Sequence, residues 1–260
     1  NKYGVLPQTE MSESFSTSQS TQMNKMISNK LREYASELRN FHKNGESLEK
    51  LRELKDKMIE EVFKMLSMHI GTPPQTFDWQ VRNKDKKFLR FENLTPQSFF
   101  KEHVALNLED YVCLINCPMK DKEYNKVYTV EHLGNVIEGR NIRYLNVTSK
   151  EMKDASIKSI KDDNPVWFGC DVGKYFHRNL GVMDTNLFDY NSFYDSEFKM
   201  NKAQRLEYGQ SMMTHAMLFT GVDLDEKVNP VKWRVENSWG KKGGSKGYHI
   251  MSDDWFDEYN

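Results

Sequence analysis

Three cysteines in 260 residues are too few for the disulfide framework of a small secreted domain. Unpaired thiols fit a reducing compartment, so a cytoplasmic setting is expected. Long hydrophobic runs are missing as well. None approaches the roughly 20 residues that span a bilayer, and the mean hydropathy is −0.78, so no membrane partner is expected. Nor does one sign of charge dominate. Lysine and arginine total 37 against 38 aspartates and glutamates, a net charge of −1. Nucleic acid therefore finds no bulk attraction, and the locally basic stretch is residues 241–246. Gly173-Lys174 stands without the surrounding glycines of a phosphate loop. His69, His103 and His132 lack partners at metal-ligand spacing. Neither a metal nor a cofactor is expected.

What is present is a polar chain, 29% charged and 38% hydrophobic, long enough for one large domain or two small ones. Its most informative stretch is 211–240. Residues 215–222 are apolar and strand-like. Val231, Trp233 and Val235 alternate with Lys232, Arg234 and Glu236, the period of a half-buried strand. Asp223, Asp225, Asn229 and Pro230 read as the turn between them. Two antiparallel strands so joined bring His215 beside Asn237. That pairing has a chemical logic. A histidine acting as base and acid needs its second ring nitrogen held by a fixed partner. An asparagine oxygen accepts that N–H without adding charge, which suits a site where a thiolate already balances the imidazolium. Trp239 is spaced to shield the contact from water.

His215-Ala216 at the head of a strand, then Glu236-Asn237-Ser238-Trp239-Gly240 and Gly247-Tyr248, resemble the papain-type cysteine peptidases. Four stretches resemble the aminopeptidase C / bleomycin hydrolase family within that clan: 1–5 (Asn-Lys-Tyr-Gly-Val), 166–174 (Val-Trp-Phe-Gly-Cys-Asp-Val-Gly-Lys), 213–217 (Met-Thr-His-Ala-Met) and 233–240 (Trp-Arg-Val-Glu-Asn-Ser-Trp-Gly). They cover nearly the whole chain. The resemblance implies an α+β, papain-like cysteine proteinase fold, with an antiparallel β-barrel half plus a helical insertion. It implies a Cys-His-Asn triad in which His215 pairs with a thiolate, protonates the leaving amine and then activates water. Asn237 would orient His215, and Trp239 would cover that contact on the leaving-group side. Thr214 and Ala216 would border the cleft, and Gly169 would lie near the P2 or amino-terminal subsite. The implied activity is a cysteine aminopeptidase acting on peptides, and the implied assembly is a homo-oligomer, a hexamer with its sites facing an inner chamber.

A nucleophilic thiol belongs at a helix N-terminus, where the dipole and the histidine lower its pKa. Cys113 and Cys117 sit in a strand leading into a turn, and Cys170 in a further strand; none is followed by an aromatic. All three read as buried small hydrophobes. The family carries its thiol in an early Gln…Cys-Trp motif. The resemblance therefore implies that the nucleophile, one oxyanion donor and a C-terminal arm lie outside this chain, and that the chain alone is inactive. Two other classes remain open: a non-catalytic oligomerisation fragment and a nucleic-acid-binding fragment.

In chain order, residues 1–20 read as a loop that follows the absent catalytic helix. Residues 21–110 read as a mainly helical insertion, and 111–260 as the β-barrel domain carrying His215 and Asn237. Met23, Met26, Ile27, Leu31, Tyr34, Leu38 and Phe41 recur at helical spacing, and so do Leu51, Leu54, Met58, Val62, Met65 and Leu66. Asn44-Gly45 and Gly71-Thr72-Pro73-Pro74 punctuate them, giving a helical hairpin whose methionines fill its core. A β-hairpin is predicted across 77–91. A helix opened by Thr95-Pro96 should run through His103. Strands are predicted at 111–115, 128–133 and 166–170, and a helix boxed by Thr148 and Glu151 through Ile160. Residues 176–200 read as a loop, 201–208 as a short helix, and 241–247 as a flexible loop. A strand at 248–251 leads into a helix capped by Ser252.

Overall fold

In the computed structural model, which describes residues 3–134 and 139–260, local sequence signals set most element boundaries. Two units emerge, Asn1–Leu108 and Glu109–Asn260. Of the opening five-residue motif, Asn1 and Lys2 lie outside the described residues.

The first unit begins with a short helix α1 (Phe15–Ser18), then the long pair α2 (Thr21–Lys43) and α3 (Leu48–Ile70). Ser47 accepts the Lys50 N–H at 3.2 Å and so caps α3. Tyr34 of α2 and Met58 of α3 are buried, and the Tyr34 hydroxyl donates to Glu61 across the pair. The expectation that the methionines fill a core is corrected here: Met26 and Met68 are exposed, because the helical stripe is wider than the surface the partner helix covers. Strands β1 (Phe77–Arg82) and β2 (Phe88–Leu94) pair antiparallel. Thr95 and Ser98 form a reciprocal capping box at α4 (Pro96–Phe99). The predicted longer helix stops there and passes into a π-type turn, Phe100–Val104, that places His103 against the aromatic rings of Phe91 and Trp79.

The second unit opens with β3 (Cys113–Ile115), β4 (Val127–Tyr128) and β5 (Tyr144–Asn146), in the order β3-β5-β4. β3 and β4 are shorter than the predicted strands at 111–115 and 128–133, and β5 is not among the predicted strands. Tyr111 and Val112 are exposed, and His132 sits at φ +60° in a turn. Asn146 explains part of this. Its fully buried side chain accepts the Cys117 N–H at 2.9 Å and donates to the carbonyls of Cys117 and Lys122 at 3.0 Å, so a side chain holds the 117–122 backbone where a ladder would otherwise do so.

Helix α5 (Ser149–Lys161) starts at the Thr148/Glu151 box. There follow β6 (Val166–Cys170), β7 (Phe176–His177), β8 (Val182–Met183), α6 (Tyr190–Tyr194), α7 (Lys202–Glu207), β9 (His215–Leu224), β10 (Pro230–Glu236), β11 (Tyr248–Ser252) and α8 (Asp253–Tyr259). The 176–200 region is thus not a plain loop but contributes two strands and a helix. The 241–247 loop is likewise tied down, by a 3-10 turn at its start and a Ser245–Tyr248 bridge at its end. The sheet order is β6-β9-β10-β11-β8-β7. All pairs are antiparallel except β11 with β8, one departure from the expected antiparallel half-barrel.

On one face of this sheet Trp233, Val235, Met251, Trp255 and Phe256 are fully buried. Phe168 stacks on Phe219 and Trp233 on Phe256. Each such side chain contributes on the order of 1.5–3 kcal/mol on burial. Trp233 Nε1–H finds an acceptor in Asp253 Oδ1 at 3.0 Å. Lys153 of α5 reaches the same carboxylate at 2.6 Å and Asp257 at 2.8 Å, which fastens α5 to α8. Between β9 and β10 the register shifts between Pro230 and Lys232 and again between Arg234 and Val235; across the second shift Trp233 faces Val222, whereas Val235 faces Phe219. The extra β9 residue is a bulge. Arg234 grips it, donating to Thr220 O at 2.7 Å and to Thr220 Oγ1 at 3.0 Å.

Candidate active site

Strand pairing explains how His215 and Asn237 meet. His215, Met217 and Phe219 share one face of β9, and Trp233 and Val235 the same face of β10. Asn237 continues that row one step past the end of β10. The apolar core therefore ends in two polar side chains at one rim of the sheet. His215 Nε2 lies 3.0 Å from Asn237 Oδ1. The amide is buried and the imidazole half-buried. Two backbone contacts fix the asparagine. Its own N–H donates to Gly247 O at 3.2 Å, and the Ser238 N–H donates to its Oδ1 at 2.8 Å. Among the described residues, the hydrogen bond that His215 makes from its ring is the one at Nε2, and none is seen at Nδ1. One ring nitrogen is thus held and the other is left for a reacting group.

Trp239 stands over His215 with ring centroids 4.7 Å apart and planes tilted by 32°. It is 43% exposed, and the Arg178 guanidinium lies 4.9 Å from its ring, within cation–π range. Gly169 of β6 is opposite Ala216, next to the Cys170–His215 pair. A Cβ at Gly169 would fall 2.1 Å from Met213 Sδ, so the methionine occupies the space that the glycine leaves. Thr214 N–H donates to Cys170 O at 2.9 Å, just before β9 begins. The structure therefore brings His215, Asn237, Trp239, Thr214, Ala216 and Gly169 to one end of three adjacent strands.

The cysteines differ from the expectation of three buried hydrophobes. Cys170 is buried, but Cys117 is half-buried and Cys113 is exposed, since β3 is an edge strand with one side uncovered. Cys170 neighbours His215 across the strands, yet burial, with the Asp171 carboxylate adding to it, pushes its thiol up to about 12. A nucleophile needs the opposite shift.

One residue at the site, His249, lies outside the motifs that mark the others. His249 sits on β11 opposite Val235, only 2% exposed, with Nε2 3.4 Å from Asn237 Nδ2. The alternation of Tyr248, His249, Ile250 and Met251 could have revealed it, because it puts a histidine in the inward phase next to Met251. Ser238 escaped for another reason: its backbone N–H, not its side chain, does the work.

Comparison with known proteins adds to this geometry. The pattern defining the Peptidase C1-like family matches residues 1–260. Human bleomycin hydrolase is 44% identical over 263 residues, covering 99% of this chain and 58% of that protein. Aminopeptidase C of Lactococcus lactis subsp. cremoris is 43% identical over 260 residues, with coverage of 100% and 58%. A crystal structure of PepW from Lactobacillus rhamnosis HN001 superposes with a TM-score of 0.96 at 45% identity, again over 99% of this chain and 58% of that one. The chain thus spans less than two thirds of the length of each of these proteins.

Proposed function

Because this chain belongs to the Peptidase C1-like family and has the papain-like α+β fold, we propose that it supplies the base and its orienting partner to a cysteine aminopeptidase. The observation that carries this reading is the 3.0 Å contact of His215 Nε2 with Asn237 Oδ1, beside an Nδ1 with no hydrogen bond among the described residues. The thiol comes from outside this chain; the raised Cys170 pKa supports that assignment. In the reaction, His215 Nδ1 first holds the proton of a thiolate–imidazolium pair. The thiolate attacks the scissile carbonyl carbon, and the tetrahedral intermediate collapses as His215 gives its proton to the leaving amine. Nδ1 then takes a proton from the water that attacks the thioester, and the acid product leaves as the thiol is restored. Asn237 accepts the Nε2–H throughout, so the ring stays aligned in both charge states. Trp239 shields that hydrogen bond on the leaving-group side. Thr214, Ala216 and Gly169 border the peptide-binding cleft.

Release of N-terminal residues rests on the names of the relatives, one of which is an aminopeptidase. The same reading carries a homo-oligomer, hexameric by family resemblance. Exposed apolar residues on the helical hairpin, Ile59 and Phe63 among them, support it. Three free cysteines support a reducing, cytoplasmic setting. The test is hydrolysis of aminoacyl-coumarin amides by the intact protein, beside His215→Ala and Asn237→Ala. His215→Ala should lower kcat by at least about 100-fold. Asn237→Ala should lower it about 10- to 100-fold, the worth of a hydrogen bond to a charged group. Activity that ignores His215→Ala would sink the reading and favour an interaction role.

A further inference from the structure

The Ser238 N–H, which can only donate, identifies the end of the Asn237 amide that is oxygen. With Oδ1 so placed, Nδ2 points at His249 Nε2, 3.4 Å away. An amide nitrogen is a donor, so the facing ring nitrogen must be an acceptor. His249 is therefore a neutral imidazole with its proton on Nδ1. That Nδ1 is buried and finds no partner among the described residues. A buried donor left unpaired is destabilising. The alternative tautomer would aim two donors at each other instead. The pocket enforces the arrangement. Phe176 presents its ring edge-on to His249 with centroids 5.3 Å apart. A Cβ at Gly181 would lie 2.8 Å from His249 Nδ1, and one at Gly244 3.0 Å, so these two glycines admit the ring and little else. Burial draws the group away from its charged form.

We propose that His249 is a positioning residue for the peptidase chemistry: its Nε2 lone pair accepts from Asn237 Nδ2 and keeps the asparagine oxygen aimed at His215. The proposal rests on the peptidase reading above. The amide torsion of an asparagine is broad and nearly two-fold. Backbone contacts hold only the oxygen side, and His249 holds the other. Without it the amide swings, and the imidazole loses alignment in the transition state more than in the bound substrate.

The experiment compares the intact protein with His249→Leu, which keeps bulk without an acceptor, and His249→Gln, which restores one. Each is also made in the Asn237→Ala background. His249→Leu should lower kcat about three- to tenfold, the worth of one hydrogen bond, with KM unchanged. His249→Gln should recover most of that loss, and neither change should matter once Asn237 is gone. An unchanged kcat in His249→Leu, or an equal loss in both backgrounds, overturns the proposal. Nitrogen-15 NMR of the imidazoles gives a readout that survives misfolded variants and needs no activity. The Nδ1–H tautomer of His249 is expected, and an Nε2–H tautomer would overturn the proposal by itself. Activity that survives His215→Ala fails the peptidase reading instead, so the two failures are distinguishable.

Discussion

The helical hairpin and the paired strands β9 and β10 follow equally clear sequence patterns, yet they differ in how completely they bury their side chains. Ile59 and Phe63 of α3 are 54% and 53% exposed, whereas Trp233, Met251 and Phe256 around β10 and β11 are fully buried. The hairpin is held by helix periodicity, a serine cap and near-neighbour pairs such as Lys30–Glu33 and Lys50–Glu53, each worth a few tenths of a kcal/mol. The sheet is held by stacked rings and by the buried Lys153 ammonium paired with two half-buried carboxylates. A periodic stripe specifies a helix whatever covers it. A functional contact of 3.0 Å needs neighbours that do not move, and the sheet supplies them.

That contrast can be tested at four points, from the largest expected effect to the smallest. Trp233→Ala should destabilise the protein by about 3–5 kcal/mol through lost burial and a cavity, read as a drop in the urea midpoint. A loss below about 1 kcal/mol would mean that the sheet face collapses around the gap and is not the rigid region inferred. The Cys170 thiol should react with an aromatic disulfide about a thousandfold more slowly than a free cysteine at pH 8, since its ionisation lies about three units higher. Exposed Cys113 should react at once. A fast Cys170 would contradict its burial. The same shift sets the sign of an alkaline effect. The folded thiol keeps its proton between about 9 and about 12 while the unfolded one loses it, so this contribution is intact below pH 9 and declines as pH climbs through that window. Next, Thr148→Ala removes the capping box of α5 and should lower stability by about 1 kcal/mol; the Tm of the variant checks this. Last, Phe63→Ala on the hairpin should change the stability of the dissociated monomer by less than about 0.5 kcal/mol. A larger loss in the assembled protein is expected if a partner covers that face, and an equally small change there would count against the oligomer contact.

Much of the site was legible because its signals are local. His-Ala before an apolar run, Asn-Ser-Trp-Gly after an alternating one, and a turn between them place His215 and Asn237 side by side. Caps were legible for the same reason: Thr148 with Glu151 and Thr95 before Pro96 are satisfied within one turn of helix. What escaped depends on distant partners. Two-residue strands such as β7 and β8 carry no period and exist because β11 lies beside β8. Asn146 carries no local signal, because its role depends on the 117–122 backbone folding around its amide. Cys113 is exposed because of where its strand falls in the sheet, which no count along the chain reveals. His249 escapes because the strand period gives its inward phase but not the distant Asn237 that it meets.

The slip that Arg234 clasps at Thr220 makes the site a matter of parity. Val222 and His215 stand an odd number of positions apart and yet both serve the inner face, while Trp233 and Asn237 on the facing strand stand an even number apart. A continuous strand would keep such counts equal. It would send Thr214 and Ala216 inward and turn the imidazole out of reach of the asparagine. One supernumerary residue therefore decides which side of the sheet His215 faces. Length changes in the 225–229 turn leave this arithmetic alone. A single insertion or deletion between the clasp and His215 reverses it, although it would touch none of the residues that meet at the rim.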